Sequence, residues 1–571
     1  MEKVPLDGKR QFDDIWDELP HGGRYQIKLV VFSSYMTLIM GLSAMYPVFA
    51  QYSPKHHCRT SLDDLTFLSL DQIHDLSTKL QGNCASTTKS GCEKCSYPEE
   101  IVSSCINQTS TTSFSNSTSD DIFNCLTSNK INGSLETCGA DGNVFLQHGL
   151  NASSDSWESA VTQFDLVCEK EILNTYMISA GSVGFFIGSL LAGVHCDTFG
   201  RKNAIMVHTL TTTFSFAAQA LIVNQYAFLV LRTLAATFSV IGFLSALTYG
   251  VEILGPSRRS LPSTILCFMF AGGCAGISVI SFYLPDWQNL TLGIAALSAF
   301  NIIFLPFLPE SPRFLVTKGR YEEAQAILDR FAIEASDQDG EPLIAPDISL
   351  FVIEKPPKAP PITDILFSKF FGKVFILTSM AYFVVNMVYY GFGYGVNNLS
   401  GSIYVNNAIN GALEAAAYGF TAPITDVFGR RKSIVALFIL SGVACFAHMG
   451  VLLTSISTNV AAFIGKFASS AVFCALFTFS AELFPTEVRS MGVSITSMIG
   501  RIGSVVAPFL NMLIDKPGFE WVPHTTFATL SILSGFLLLF LPETKSLPLF
   551  QTVEEAEEFH ASEKKKRNIP N

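Results

Sequence analysis

Two charged residues stand deep inside apolar stretches of this 571-residue chain. Glu414 lies twelve residues before Asp426, and Arg501 lies twelve residues after Arg489. At 1.5 Å per residue each is about 18 Å from the polar end of its helix, so the two share one depth near the middle of a bilayer. An ion there is costly, which marks it as part of a ligand site or as half of a structural pair. A guanidinium can hold a carboxylate through two parallel hydrogen bonds. Tyr389 and Tyr418 add aromatic faces suited to a quaternary ammonium, or simply pack. Asn386, Asn406 and Asn410 can bond a ligand or tie helices together. Lys466 reads as lying nearer the far end of its span, where it can snorkel. Arg232, twenty residues ahead of Glu252, reads as marking the outer rim.

A second set of residues recurs. Asp197-Thr-Phe-Gly-Arg-Lys202 and Asp426-Val-Phe-Gly-Arg-Arg431 share one pattern, 229 residues apart. Glu252 with Arg259 is matched by Glu482 with Arg489 at an offset of 230, and Leu-Pro-Glu-Ser at 308–311 by Leu-Pro-Glu-Thr at 541–544 at 233. One unit has been used twice, as in transporters built from matching halves. Gly200 and Gly429 permit a tight turn, and Arg201, Lys202, Arg430 and Arg431 can bind helix ends, acids or phosphates. Together with Asp197, Asp426, Glu252, Glu482, Arg259 and Arg489 they read as a gate latch, formed in one conformer and broken in another. As topology signals alone, the basic residues would need none of these acids.

Long apolar runs must position these groups. The mean hydropathy is +0.36, with 49% hydrophobic and 15% charged residues, which identifies an integral membrane protein. The net charge of -11 is accounted for by acidic loops and tail rather than by a basic partner. Residues 1–25 form a cytoplasmic segment, with Trp16 and Tyr25 expected in the headgroup layer. A six-helix half follows over 26–308, interrupted after its first span by a loop at 51–172. That loop carries Cys58, Cys84, Cys92, Cys95, Cys105, Cys125, Cys138 and Cys168, beside sequons at Asn107, Asn116, Asn132 and Asn151. An even cysteine count with glycosylation acceptors points to disulfides outside the cell, with homo-oligomerisation through the loop an open option. A central cytoplasmic loop at 309–372 contains a helix, from Tyr321, expected on the membrane surface. Six more spans occupy 373–541, and 542–571 is a cytoplasmic tail. Lys and Arg cluster on the side opposite the glycosylated loop, so both termini are placed in the cytoplasm. No metal, nucleotide or nucleophile motif appears among these residues, which argues against an enzyme and against a resident cofactor; a coupling ion, Na+ or H+, is compatible.

Phe12-Asp-Asp, Gly23-Arg-Tyr25-Gln, Phe164-Asp-Leu-Val-Cys168, Gly250-Val-Glu-Ile-Leu254, Pro309-Glu-Ser-Pro-Arg313, Ala481-Glu-Leu-Phe-Pro-Thr486 and Pro542-Glu-Thr-Lys545 together resemble the major facilitator superfamily, within it the organic cation, carnitine and organic anion transporters. Asn398-Leu-Ser-Gly-Ser-Ile-Tyr-Val-Asn406 and Glu414-Ala-Ala-Ala-Tyr418 resemble the carnitine and zwitterion branch, with Ala416 replacing a proline and Pro423 offering a kink further along. The resemblance implies an all-α fold of twelve transmembrane helices in two six-helix halves, moving small organic ions across the plasma membrane by alternating access. In that family the position of Arg501 is acidic in dedicated cation carriers and basic in anion and carnitine carriers, and a second acidic position falls here on Phe473. The expectation is therefore a carrier of carboxylate-bearing zwitterions or organic anions. Its substrate contacts would come from Arg501, Glu414, Tyr418, Tyr389, Lys466 and Asn386. The rivals are organic cation transport anchored on Glu414, and a non-transporting receptor on the same fold.

Overall fold

The computed structural model describes residues 10–19, 23–53, 56–58, 93–96, 134–137, 143–145, 158–167, 170–255, 260–339, 345–348, 351–352, 368, 370–452, 459–485, 487–516, 518–545, 550 and 552–559. By contacts the chain divides into two units. One comprises Met1–Val48, Met177–Leu284 and Gln288–Asn571, and the other Phe49–Tyr176 with Pro285–Trp287.

The duplicated sequence folds into two sets of six helices, nearly all of whose residues belong to the first unit. The first set is α1 (Arg24–Ala50), α2 (Glu171–Phe199), α3 (Arg201–Ala220), α4 (Gln225–Leu254), α5 (Ser260–Tyr283) and α6 (Trp287–Phe300), and the second is α7 (Phe371–Tyr394), α8 (Ile403–Phe428), α9 (Arg430–Leu452), α10 (Asn459–Leu483), α11 (Arg489–Asn511) and α12 (Val522–Leu538). Among the described residues nine helices are long and apolar enough to cross a membrane, and α12 is apolar but shorter. Helices α3 and α8 are outside the nine, diluted by His, Thr and Gln in one and by Asn406, Asn407, Asn410 and Glu414 in the other. Helix α8 runs continuously through Pro423.

Small residues let helix axes approach closely. A Cβ on Gly41 would collide with the Phe270 carbonyl of α5, and one on Gly184 with the Thr233 carbonyl of α4. The two halves meet along α2 with α11 and α5 with α8. Ser179 and Ser182 donate to the carbonyls of Val505 and Ser504, at 3.1 and 3.2 Å. Asn407 donates to the Cys274 carbonyl at 2.9 Å and to Ser278 at 2.8 Å, and a Cβ on Gly411 would lie 2.6 Å from Ala275. Counted along the helices, these contacts are roughly 30 Å from the glycine turns at Gly200 and Gly429.

The polar segments at the turn-bearing end differ from expectation. Arg10–Gln11 pairs in parallel with Phe351–Val352, and Phe12, Ile15, Trp16 and Leu19 are buried with Leu328, Phe331 and Ile348 in one apolar cluster. The helix Tyr321–Asp339 therefore turns its apolar face to the N-terminal segment instead of the membrane surface. Trp16, 3% exposed, is in protein core and not in a headgroup layer, because Phe331 and the bare Gly255 at the end of α4 offer it a seat. Gly255 has φ +72° and a Cβ there would lie 2.6 Å from the indole.

In the second unit His56–Cys58 pairs antiparallel with Asn143–Phe145, and Glu93–Ser96 with Ser134–Thr137. A capping box of Ser159 and Thr162 starts the helix Ala160–Phe164, and Trp287 donates to Gln163 at 2.7 Å. Cys58 and Cys95 lie on these strands. Cys84, Cys92, Cys105, Cys125, Cys138 and Cys168, and the sequons Asn107, Asn116, Asn132 and Asn151, lie outside the described residues, so neither the disulfides nor the glycosylation expected there is addressed.

Candidate functional site

Helices α7, α8 and α10 bring four of the expected residues together. The Glu414 carboxylate is fully buried; its Oε1 accepts from the hydroxyls of Tyr389 and Tyr418, each at 2.6 Å. Its Oε2 lies 3.3 Å from the Lys466 ammonium, with side-chain exposures of 0 and 2%. The contact is an ion pair without hydrogen-bond alignment. The ammonium also stands 3.3 Å from the centroid of the Tyr389 ring, which meets Tyr390 edge-on at 5.1 Å and stacks with Phe473 at 5.8 Å. Spacing explains the assembly: Glu414 and Tyr418 are one turn apart on α8, and α8 and α10 pack side by side. Lys466 thus does not snorkel to a surface. A buried carboxylate with only hydroxyl partners would be far costlier than one with a cation beside it, and this draws the lysine inward.

Arg501 is not the partner of Glu414. Its guanidinium is partly exposed and its contacts among the described residues are the Phe185 ring, 5.9 Å away, and Tyr390, within electrostatic range. No carboxylate of a described residue pairs with it. Asn386 sits one residue from it across the α7–α11 contact: a Cβ on Gly500 would lie 2.9 Å from Asn386 Nδ2. That amide nitrogen donates to the Tyr382 carbonyl at 2.8 Å, while Oδ1 is buried without a partner among the described residues.

Arg232 does not mark a rim. It is 1% exposed, donates to the Ser43 hydroxyl at 3.0 Å and carbonyl at 2.6 Å, and lies 4.9 Å from the Tyr46 ring. The small side chains of Gly181 and Ser43 leave the space for it.

The repeated motifs form the same construction in each half. Gly200 and Gly429 have φ of +92 and +95°, values that favour glycine. Immediately after them, the first N–H groups of α3 point at Glu310, whose Oε1 accepts from Arg201 at 2.9 Å and Lys202 at 3.1 Å. At α9 the N–H groups of Arg431 and Lys432 reach Glu543 at 3.2 and 3.4 Å. An anion at a helix N-terminus satisfies otherwise orphan donors. Arg201 reaches Glu252 through Nε at 3.0 Å and Nη2 at 2.9 Å, and Arg430 reaches Glu482 at 3.2 Å. Thr544 also donates to Glu482. These two carboxylates were expected as partners. Asp197 and Asp426 meet the same arginines at 3.4 and 2.8 Å but are 76 and 64% exposed, against 11 and 22% for Glu252 and Glu482. Arg489 donates to the Phe484 carbonyl at 3.2 Å, and Arg259 lies outside the described residues. Each Arg–Glu pair joins two helices of the same half.

Glu310 and Glu543 were not singled out as site residues. Their signal was present as the third short motif recurring at the duplicated offset. Among the described residues no group of three His, Cys, Asp or Glu is placed to hold a metal, and Cys196, Cys267, Cys274, Cys445 and Cys474 are free thiols.

Comparison with known proteins agrees with this architecture. Residues 114–556 match the family described as sugar (and other) transporter. Organic cation/carnitine transporter 2 of Homo sapiens is 31% identical over 412 residues, 70% of this chain and 73% of its own. Solute carrier family 22 member 16 of Homo sapiens is 28% identical over 573 residues, covering 98 and 95%. The inward open xylose transporter XylE from E. coli superposes with a TM-score of 0.58 at 13% identity, over 94% of this chain and all of that one, which establishes a shared fold. The chain is therefore a multi-pass membrane transporter and not an enzyme, a member of the major facilitator superfamily that belongs with the organic cation/carnitine transporters of solute carrier family 22.

Proposed function

We propose that this transporter carries small organic ions bearing a carboxylate, either zwitterions of the carnitine type or organic anions, across the plasma membrane by alternating access. One observation carries the reading of charge: Glu414 is already neutralised by Lys466 and two tyrosine hydroxyls, whereas Arg501 at the same depth has no acidic partner among the described residues. A cation would find its aromatic seat over Tyr389 occupied by Lys466. Its competitor reading, organic cation transport anchored on Glu414, requires the lysine to leave. The polar contacts between halves, far from the glycine turns, support a conformer closed at the outer face, with both termini cytoplasmic. Coupling to Na+ or H+ is read from the dependence of uptake on each gradient.

Uptake of labelled carnitine, a dicarboxylate and a simple quaternary ammonium into expressing cells tests the reading. Losing one half of a buried charge-assisted pair costs about 2–5 kcal/mol, roughly thirty- to several thousand-fold in affinity. Arg501→Ala at normal surface abundance is expected to abolish carboxylate uptake. Wild-type carboxylate uptake by that variant removes Arg501 from the site, and uptake of the quaternary ammonium alone overturns the assignment of charge.

A further inference from the structure

The arginine read above as a carboxylate anchor stands at the seam between the halves, and one ring of the opposite half approaches it. Helix α2 runs towards the turn-bearing end and α11 away from it, so their residues meet in opposite order. Ser179 donates to the Val505 carbonyl and Ser182 to the Ser504 carbonyl; three residues further along α2, the Phe185 ring lies beside Arg501, 5.9 Å from its centroid to the guanidinium carbon. Of the hydrogen bonds and ring contacts that join α2 to α11 among the described residues, this last one is nearest the turn-bearing end. Phe185 is 1% exposed, so its ring is fixed by its surroundings, whereas Arg501 is partly exposed. Ser504 ties the row to the arginine: its carbonyl accepts from Ser182, and its hydroxyl donates to the Arg501 carbonyl at 2.7 Å. The seam thus holds the backbone at Arg501, and beyond it the long side chain has an aromatic face and no carboxylate among the described residues to set its direction.

Resting on the reading of Arg501 as the carboxylate anchor, we infer that Phe185 is its positioning residue: from the N-terminal half the ring fixes a guanidinium of the C-terminal half while the outer seam is closed, so that a bound carboxylate favours closure. A guanidinium offers two surfaces. Its face is attracted to an aromatic ring within about 6 Å, and its N–H edge takes a carboxylate through two parallel hydrogen bonds, so ring and ligand do not compete. With its plane already held, the side chain loses less freedom when the carboxylate binds. Parting the halves at this seam takes the ring away, and the ligand must then order the guanidinium itself. A ligand shifts a conformational equilibrium only by its difference in affinity for the two states, and this contact supplies such a difference. For a cation over a ring it amounts to about a two- to thirtyfold factor.

Uptake of labelled carnitine and of labelled succinate into oocytes expressing the full chain, and efflux of the same compounds after injection, give the half-saturating concentration on each side of the membrane. Phe185→Leu should raise the cytoplasmic value about two- to thirtyfold and leave the external value nearly unchanged, because the ring meets Arg501 only with the outer seam closed. Mono-, di- and trifluorophenylalanine placed at position 185 keep the ring's shape while withdrawing charge from its face, so the cytoplasmic value should climb with each fluorine. That series also decides the matter if Phe185→Leu does not reach the surface. An unchanged cytoplasmic value in Phe185→Leu, an equal rise on both sides, or no dependence on fluorine number overturns the inference and leaves Phe185 as packing. Arg501→Ala is measured beside them. If it carries carnitine or succinate as the wild type does, or the wild type carries neither, the reading of Arg501 itself has failed; an inactive Arg501→Ala beside a Phe185→Leu that behaves as wild type refutes the role of Phe185 alone.

Discussion

Removing either charge of the Lys466–Glu414 pair should destabilise the protein, and by unequal amounts. The pair is 0 and 2% exposed at 3.3 Å, the setting in which deleting one partner costs about 3–5 kcal/mol. At 1.4 kcal/mol per tenfold, that is a factor of about 100 to several thousand in the folding equilibrium. After Lys466→Met the carboxylate keeps two hydroxyl donors at 2.6 Å, each of the class worth about 1.5–3 kcal/mol to a charged group, so the loss belongs at the lower end. After Glu414→Gln the ammonium keeps the face of Tyr389, worth ~2 kcal/mol when desolvated, and a neutral amide oxygen in place of a charge, so the loss belongs at the upper end. The double variant replaces a buried ion pair with neutral groups of similar volume and should recover much of the loss. Thermal unfolding in detergent and surface biotinylation of the four proteins form a double-mutant cycle. If Lys466→Met is the worse variant, or the double variant is no more stable than the worse single one, the pairing described here does not hold the helices.

Gly200→Ala places a Cβ at φ +92°, a strain of about 1–2 kcal/mol, and drives it into the Glu310 carboxylate, so it should lower thermal stability and uptake together; Gly429→Ala, with its nearest carboxylate oxygen at 2.8 Å, should do so less. Glu252→Gln breaks a pair only 11–12% exposed and should cost about 1.5–3 kcal/mol, while the mostly exposed Asp197 pair is worth ~0.5 kcal/mol or less; uptake per surface molecule should therefore fall far more in Glu252→Gln than in Asp197→Asn, and equal losses would return the aspartates to the centre of the latch. Trp16→Ala should cost about 3–5 kcal/mol through the cavity it leaves, read as lost surface abundance, and Trp16→Phe should recover part of it.

The duplication, the order of the apolar runs and the acid–arginine sets were legible because each is a repeated local pattern. Glu252 and Glu482 were found as partners for the motif arginines for the same reason. Lys466 was misjudged because distance along a helix gives depth but not direction: a lysine faces lipid, water or a carboxylate according to what lies on neighbouring helices. Sequence put Glu414 and Arg501 at one depth, yet they stand on α8 and α11, and α10 supplies the nearer cation. Trp16 was assigned to the headgroup layer from its amphipathic surroundings, and these suit burial against a protein helix equally well. Only tertiary packing, through Gly255 and Phe331, distinguishes the two. Arg232 has no sequence neighbour that signals its burial; the space comes from Gly181 and Ser43 on other helices.

The carboxylates of Glu310 and Glu543 have a mechanical consequence. Each follows the last helix of its half and grips the opening turn of that half's third helix, while Arg201 and Arg430 strut the same corner to the acids on α4 and α10. Every six-helix set is thereby triangulated at its turn-bearing end, like a truss whose final member is pinned back to the frame. Load applied to one helix is spread through its own half instead of bending it. Across the seam between the halves the fastening is of another kind, single hydrogen bonds from serine and asparagine side chains and a few ring contacts, with no such strut among the described residues.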